Sequence, residues 1–274
     1  MADKVILITG ASSGLGCAIA KQLATRGHRV YGTSRKVSSG ETAPGLSASV
    51  RMVALDVTED TSVLACVAHI IAAEGRLDVL INNAGVGVCG SVEDTAIDEA
   101  RWQMETNFFG PVRMINAVLP VMRTQGRGRI ITVSSLAGLA ALPYQPFYSA
   151  SKFAIEGLNE ALRLELGASG IDATTINPGD FKTGFTAARV FTRSARSGRH
   201  AEQLAKTVAI YERDEMNGAD PSRVAELALR LVEADRVAVR YAVGRFDQRF
   251  GMLLKRWLPA TMFERLMKVT YSLP

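Results

Sequence analysis

Tyr148 and Lys152, in the run Tyr148-Ser149-Ala150-Ser151-Lys152, put a phenol and an ammonium one helical turn apart on a single face. Such a pair suits acid–base chemistry. A free tyrosine titrates at about 10 and is a poor base near neutrality, but a cation held nearby favours the phenolate and brings the group toward working range. The spacing by itself also occurs on ordinary helices, as an amphipathic residue beside a solvated lysine. Two further groups lie at strand ends. Ser134 and Ser135 close the strand-like run Ile130-Ile131-Thr132-Val133, with Ser135 thirteen residues before Tyr148. Asn82-Asn83-Ala84-Gly85 follows the strand-like Val79-Leu80-Ile81. Both therefore sit at the edge where doubly wound sheets bind their ligands.

The elements that must position these groups begin at the N-terminus. Val5-Ile6-Leu7-Ile8 leads into Thr9-Gly10-Ala11-Ser12-Ser13-Gly14-Leu15-Gly16, and a helical pattern continues through Ala18, Ile19 and Leu23. In a strand, glycine turn and helix of this kind, the glycines permit positive φ and close backbone approach. The opening helix offers unpaired N–H groups and a positive dipole end to a pyrophosphate. The spacing is G-x-x-x-G-x-G rather than G-x-G-x-x-G, so the flanking strand and helix, not the glycines alone, mark a nucleotide site.

Further strands are expected at Arg29-Thr33, Arg51-Leu55, Val79-Ile81, Ile130-Val133, Asp172-Ile176 and Ala238-Ala242. Helices between them make the fold class α/β, with a parallel sheet covered by helices on both faces. A helix from Glu99 to about Met122 carries Asn107, and Pro120 marks a kink or an approaching end. Ser38 to Ser49, rich in Ser, Gly, Ala and Pro, reads as a surface loop.

The 274 residues contain no repeat and no sign of a second domain, and 47% are apolar, so 1–274 is expected to form one domain with an ample core. A net charge of +5, spread along the chain, gives no reason to invoke nucleic acid. No apolar run approaches the roughly 20 residues of a membrane span, and the first strand starts too early to leave room for a signal peptide, so a cytoplasmic protein is expected. Cys17, Cys66 and Cys89 lack metal spacing, fall in predicted helix or loop segments and read as reduced thiols. His28, His69 and His200 are scattered, so no metal site is expected.

Taken together, these motifs resemble the short-chain dehydrogenase/reductase family from about residue 3 to about residue 245. The resemblance is carried by the Thr9 to Gly16 turn, Asp56 after the third strand, the Asn82 to Gly85 motif, Asn107, Ser135, Tyr148, Lys152, and Pro178-Gly179 with Thr183 following. Tyr148 to Leu158 looks most like the branch that includes 17β-hydroxysteroid dehydrogenase and retinol dehydrogenase-like enzymes. The resemblance implies a single Rossmann-type domain that exchanges a hydride between a nicotinamide and a carbonyl or alcohol carbon, and a homo-oligomer, dimer or tetramer. It implies that Tyr148 is the proton donor and that Ser135 polarises the same oxygen. Lys152 would lower the tyrosine pKa and hold the nicotinamide ribose, and Asn107 would anchor a water linking Lys152 to solvent. A cofactor site would be built from Gly10, Ser12, Ser13, Gly14, Leu15 and Gly16, then Asn83, Ala84 and Gly85, with Pro178, Gly179 and Thr183 beside Tyr148 and Lys152. Asp56 and Val57 would meet the adenine edge, although an aspartate before Thr58 and Glu59 also fits a helix cap.

Cofactor choice rests on the end of the second strand. A site selecting NAD places a carboxylate there for the ribose 2′-hydroxyl, whereas Tyr31-Gly32-Thr33-Ser34-Arg35-Lys36 has none. Arg35 can fork onto a 2′-phosphate, with Ser34 donating a hydroxyl and Lys36 adding charge, which predicts NADP(H). Ser13 stands where some NADP-dependent relatives carry a basic residue.

For the substrate, Val86, Val88, Leu136, Leu142, Tyr144, Phe147, Phe181 and Phe185 are apolar or aromatic and favour a lipophilic ketone or secondary alcohol: a steroid, a retinoid or another apolar carbonyl. Asp180 to Gly218 lies where the family places a mobile substrate cover, and Phe181, Phe185 and Phe191 fit a lid with an apolar underside. Beyond Gly244, about residues 245–274, apolar and basic residues interleave in an amphipathic extension. Such a segment can touch a membrane surface, but it is expected rather to pack on its own domain, flank the cleft or join a subunit interface. The alternative function is a dinucleotide-sensing regulatory protein without turnover. Ser135, Tyr148 and Lys152 argue against it, since a sensor has no need of a proton-donating tyrosine.

Overall fold

Alternation within single strands sorts this chain into its layers. The computed structural model describes residues 3–36, 46 and 49–274. Its elements are β1 (Val5–Ile8), α1 (Gly14–Thr25), β2 (Arg29–Ser34), β3 (Val50–Ala54), α2 (Asp60–Glu74), β4 (Val79–Asn82), β5 (Val88–Cys89), α3 (Ile97–Met104), α4 (Gly110–Gln125), β6 (Gly128–Val133), α5 (Pro146–Leu166), β7 (Ile171–Pro178), β8 (Val190–Phe191), α6 (Ala201–Met216), α7 (Ser222–Glu233), β9 (Arg240–Val243), α8 (Phe246–Trp257) and α9 (Ala260–Thr270). Ile6 and Ile8 turn to one face of the sheet and pack with Ile19 and Leu23 of α1 and Val224 and Leu231 of α7. Val5 and Leu7 turn to the other and pack with Ile70 of α2, Met114 and Val118 of α4, and Leu162 of α5. A strand buried on both faces must read as a continuous apolar run, and β1, all four residues buried, does.

The seven-stranded sheet has the order β3-β2-β1-β4-β6-β7-β9, with every pairing parallel. Chain order reverses between β1 and β4, which opens a crevice at their C-terminal ends. The expected strands all form. β3 and β7 begin one residue earlier than expected, β6 two earlier and β9 two later. A separate parallel pair, β5 with β8, ties Val88 and Cys89 to Val190 and Phe191. Cys89 therefore lies in a strand rather than in the helix or loop expected for it.

The Glu99 to Met122 helix is broken in register, not in direction: α3 passes through a π-helical turn, Glu105–Phe109, into α4. Pro120 lies inside α4, which runs on to Gln125 and ends at Gly126 with φ 66°. The Ser38 to Ser49 loop, apart from Leu46 and Ser49, falls outside the described residues.

Candidate active site

The crevice is built first by the loop after β1. Gly10 has φ 67°, and a Cβ there would come within 3.0 Å of Ala84 Cα, so the two loops meet backbone to backbone. Thr9 Oγ1 accepts from the N–H groups of Asn83 and Ala84, each at 2.9 Å, while Asn83 Nδ2 donates to the carbonyls of Thr9 and Gly10, each at 3.0 Å. Gly10, Ser12, Ser13, Gly14 and Leu15 line a cavity of about 1110 Å³ with Asn83, Ala84 and Gly85. Gly16 does not line it. A Cβ at Gly16 would sit 2.4 Å from Gly10 O and Asn83 Nδ2, so its role is to let helix and loop close up.

Residues at this end fit a dinucleotide. Ser13 caps α1 without a side-chain hydrogen bond and the first turn holds no acidic residue, leaving the helix's opening N–H groups and positive end to an anion. Ser34, Arg35 and Lys36 line the cavity at the end of β2, and Pro178, Gly179 and Thr183 line it from the β7 side. Asp56 and Val57 also line it. Asp56 Oδ1 accepts from Thr58 N at 2.9 Å and Thr58 Oγ1 at 2.7 Å. Burial opposes ionisation, but these donors hold the carboxyl below its ordinary range. Asp56 thus both ends the β3 loop and faces the cavity.

Ser135, Tyr148 and Lys152 line the same cavity. Ser135 caps a short 3-10 turn, Leu136–Gly138, its Oγ accepting from Ala137 N at 3.0 Å and donating to Pro178 O at 3.5 Å, and it lies close enough to the Tyr148 phenol to favour its ionisation. Lys152 is buried, its Nζ donating to Val133 O at 2.9 Å and lying 5.7 Å from the Tyr148 ring centroid. Burial pushes the phenol up to about 12 against the Ser135 hydroxyl, and burial pushes Lys152 down to about 8 against the Glu156 carboxylate. In the free enzyme burial outweighs the lowering expected from Lys152, since desolvation acts on both groups and the ammonium is turned to a carbonyl. At neutral pH Tyr148 keeps its proton, the form that can donate it.

Asn107 occupies the π-helical turn and does not line the cavity. Its Oδ1 accepts from Val86 N at 2.8 Å and its Nδ2 donates to Val86 O at 2.9 Å and to Ser151 Oγ at 3.3 Å. In this state Asn107 is a positioning residue that ties the loop after β4 to α5. Glu156 and Asn177 were not singled out from sequence. Asn177 Nδ2 donates to Glu156 Oε1 at 2.7 Å and to Ser135 O at 3.2 Å, bracing the serine from β7. Glu156, four residues after Lys152 on α5, carried the one readable signal, its helical spacing from the lysine.

At the substrate end Val86, Leu136, Leu142, Phe181 and Phe185 line the cavity. The Phe185 ring lies 5.9 Å from that of Tyr148. Phe181 is 5% exposed and belongs mainly to the core. Three expected lining residues are elsewhere. Val88 is buried in β5; Tyr144, at φ 56°, packs 6.1 Å from the His200 ring; and Phe147, next to Tyr148, is turned roughly 100° away from it around α5. The Asp180 to Gly218 segment is more regular than expected, since β8 and the sixteen-residue α6 occupy much of it. Leu204, Val208 and Tyr211 of α6 are already buried, with Tyr211 Oη donating to Pro143 O at 2.8 Å.

The C-terminal extension flanks the cleft: Gln248, Phe250 and Leu254 of α8 and Phe263 and Met267 of α9 line the cavity. Lys255 Nζ donates to Leu139 O and sits 5.2 Å from the Phe153 ring centroid, fixing α8 to the body. Gln248 accepts from Asp180 N at 3.2 Å and donates to Asp180 Oδ2. Asp180, on the same cavity as Tyr148, has its carboxyl pushed up to about 6 by burial and by Glu215 and Asp214. Glu215 is paired with Arg189 at 2.6 Å, and Arg245, which acts on Asp180 from a distance, is paired with Asp247 at 2.8 Å. Asp180 enters no ion pair among the described residues.

Residues 4–193 match the family model described as short chain dehydrogenase. The chain is a short-chain dehydrogenase/reductase. Among members of that family it is 42% identical, over the whole of both chains, to a 3-ketodihydrosphingosine reductase of Bacteroides thetaiotaomicron. It is 34% identical to human 17-beta-hydroxysteroid dehydrogenase type 1 over 93% of this chain and 81% of that one. A short-chain dehydrogenase from Streptomyces avermitilis superposes with a TM-score of 0.84 at 32% identity, covering 98% and 99% of the two chains. The family and the parallel-sheet fold are those expected from the Tyr148, glycine-turn and Asn82 to Gly85 motifs. Membership makes the chain an oxidoreductase of carbonyl and alcohol groups with a nicotinamide cofactor.

Proposed function

We propose that this enzyme uses NADP(H) to reduce a lipophilic ketone, and that the ketone is a long-chain aliphatic one with an ammonium group beside the carbonyl. The observation that carries the reading is one cavity holding the Ser135, Tyr148 and Lys152 side chains, an unpaired carboxylate at Asp180 and an apolar end walled by Phe185, Phe250, Leu254 and Phe263. The relative that matches over its full length acts on 3-ketodihydrosphingosine by name, a ketone with a long alkyl chain and an amine on the adjacent carbon, which supports the same class. NADP(H) is supported by Arg35 and Lys36 on the cavity wall and by the missing carboxylate at the end of β2. The cytoplasmic reading rests on the three free thiols, Cys17, Cys66 and Cys89. Exposed Phe109 and Leu164 supply apolar surface for a homo-oligomer.

A bound nicotinamide supplies the hydride. Tyr148 donates its proton to the carbonyl oxygen as charge develops there, and the Ser135 hydroxyl donates a hydrogen bond to the same oxygen. The phenolate that remains lies within the field of Lys152, and solvent restores its proton. Asp180 pairs with the substrate ammonium and so sets which carbonyl face meets Tyr148.

Oxidation of NADPH and of NADH is the test, with a long-chain 2-amino-3-ketone, the neutral ketone of equal length, a steroid ketone and retinal as substrates. The amino ketone with NADPH is expected to give the highest kcat/KM. Preference for the steroid or retinal would return the substrate to the class of the steroid and retinol dehydrogenases that the chain also resembles.

A further inference from the structure

The last thirty residues leave an apolar surface that their own domain does not cover. On α8, Phe246, Phe250, Leu253 and Trp257 recur at intervals of four, three and four, which is one helical face; on α9, Met262, Leu266 and Val269 do the same. All seven are exposed, Phe246 and Val269 at 79% and Trp257 at 76%. Around them stand Arg249, Arg256, Arg265 and Lys268, exposed and without ion pairs among the described residues. Residues 245–274 hold six basic and two acidic side chains.

We infer that this face of α8 and α9 docks on an anionic lipid surface and opens the cavity toward it. The helices have twelve and eleven residues, far short of the roughly 20 needed to cross a bilayer, and among the described residues no helix is long and apolar enough to do so. They suit the interfacial plane, where an apolar stripe sinks among the headgroups and flanking cations meet lipid phosphates. Charge selects lipid over a second copy of the chain: two such faces packed together would set cations against cations with only Asp247 and Glu264 to offset them, and Asp247 is already paired. The inner sides of the same helices wall the cavity, and Phe250 and Leu266 belong both to the exposed face and to the lining. The face turned outward and the cavity that holds Tyr148 thus share residues.

This docking stands apart from the substrate assignment and is measured without cofactor or ketone. Full-length protein is floated with phosphatidylcholine vesicles that contain or lack phosphatidylglycerol, and its association state is measured by sedimentation. Binding to the anionic vesicles is expected, weakened by salt. Since each basic side chain near an anionic surface strengthens binding about fivefold, Arg249→Gln with Arg256→Gln should lower partition roughly 25-fold. Phe246→Ser with Trp257→Ser should abolish it; neither residue lines the cavity, and both variants should retain the wild-type melting temperature. Wild-type protein that ignores both vesicle types overturns the inference. So does a dimer that these same substitutions dissociate, because the face would then be a self-interface.

Discussion

Tyr148 and Lys152 show what residue spacing conveys and what it leaves out. Their shared helical face was legible from four-residue spacing, but burial decides their protonation, and burial depends on the rest of the chain closing over them. Desolvation leaves the phenol at about 12 and the lysine at about 8, the reverse of the activated phenolate that the pair alone implies. Asp180 was illegible for the same reason: its neighbours Glu215 and Gln248 arrive from α6 and α8, remote in sequence. Its carboxyl titrates at about 6 in the fold against an ordinary 3.8, so the fold binds the proton more tightly than the unfolded chain does. Stability from this group is present at low pH and is lost as pH rises through about 6. Asp180→Asn, which keeps an acceptor for Gln248, should therefore melt higher at pH 7, by on the order of 2 kcal/mol of stability, with the gain fading as pH falls toward 4. The same variant should raise KM for a 2-amino ketone at least about tenfold, ~1.4 kcal/mol of binding, and leave the neutral ketone unchanged. In the wild type, KM for the amino ketone should rise as pH falls below about 6. Equal effects on both ketones would remove Asp180 from substrate recognition.

Elements whose signals are local were readable. The apolar runs of β1, β4 and β6 and the glycine turn before α1 depend on neighbours in sequence, and they fall where expected. The π-helical turn at Asn107 and the β5–β8 pair depend on contacts between distant segments and were not readable. At the end of β2, Arg35→Asp should shift preference from NADPH toward NADH, since a carboxylate repels a 2′-phosphate and can bond a free 2′-hydroxyl. Titration of both cofactors decides this, and equal losses for both would mean that Arg35 does not read the phosphate. The Asp180 to Gly218 cover was expected to be mobile throughout without ligand. With Leu204, Val208 and Tyr211 of α6 already buried, hydrogen exchange in α6 should be slow in the free enzyme. Protection gained on adding NADPH and ketone should be confined to about 183–189, around Phe185. A gain spread over all of α6 would restore the mobile cover.

On the scale of the whole molecule, strand order opens a crevice over the β1 and β4 ends, and one cavity is lined by the loops there, by Tyr148 and by α8 and α9. The central step is the passage of a proton from Tyr148 to a lipophilic ketone in this cavity. It is tested most directly by initial rates of NADPH oxidation with a long-chain 2-amino-3-ketone, wild type against Tyr148→Phe, with NADPH affinity titrated in parallel. The wild type is expected to turn over, and the variant to lose about 10²–10⁴ in kcat with unchanged NADPH affinity, since only the proton-bearing hydroxyl is removed. A correctly folded Tyr148→Phe variant that keeps most of its activity, or a wild type that oxidises NADPH with no ketone, would contradict it.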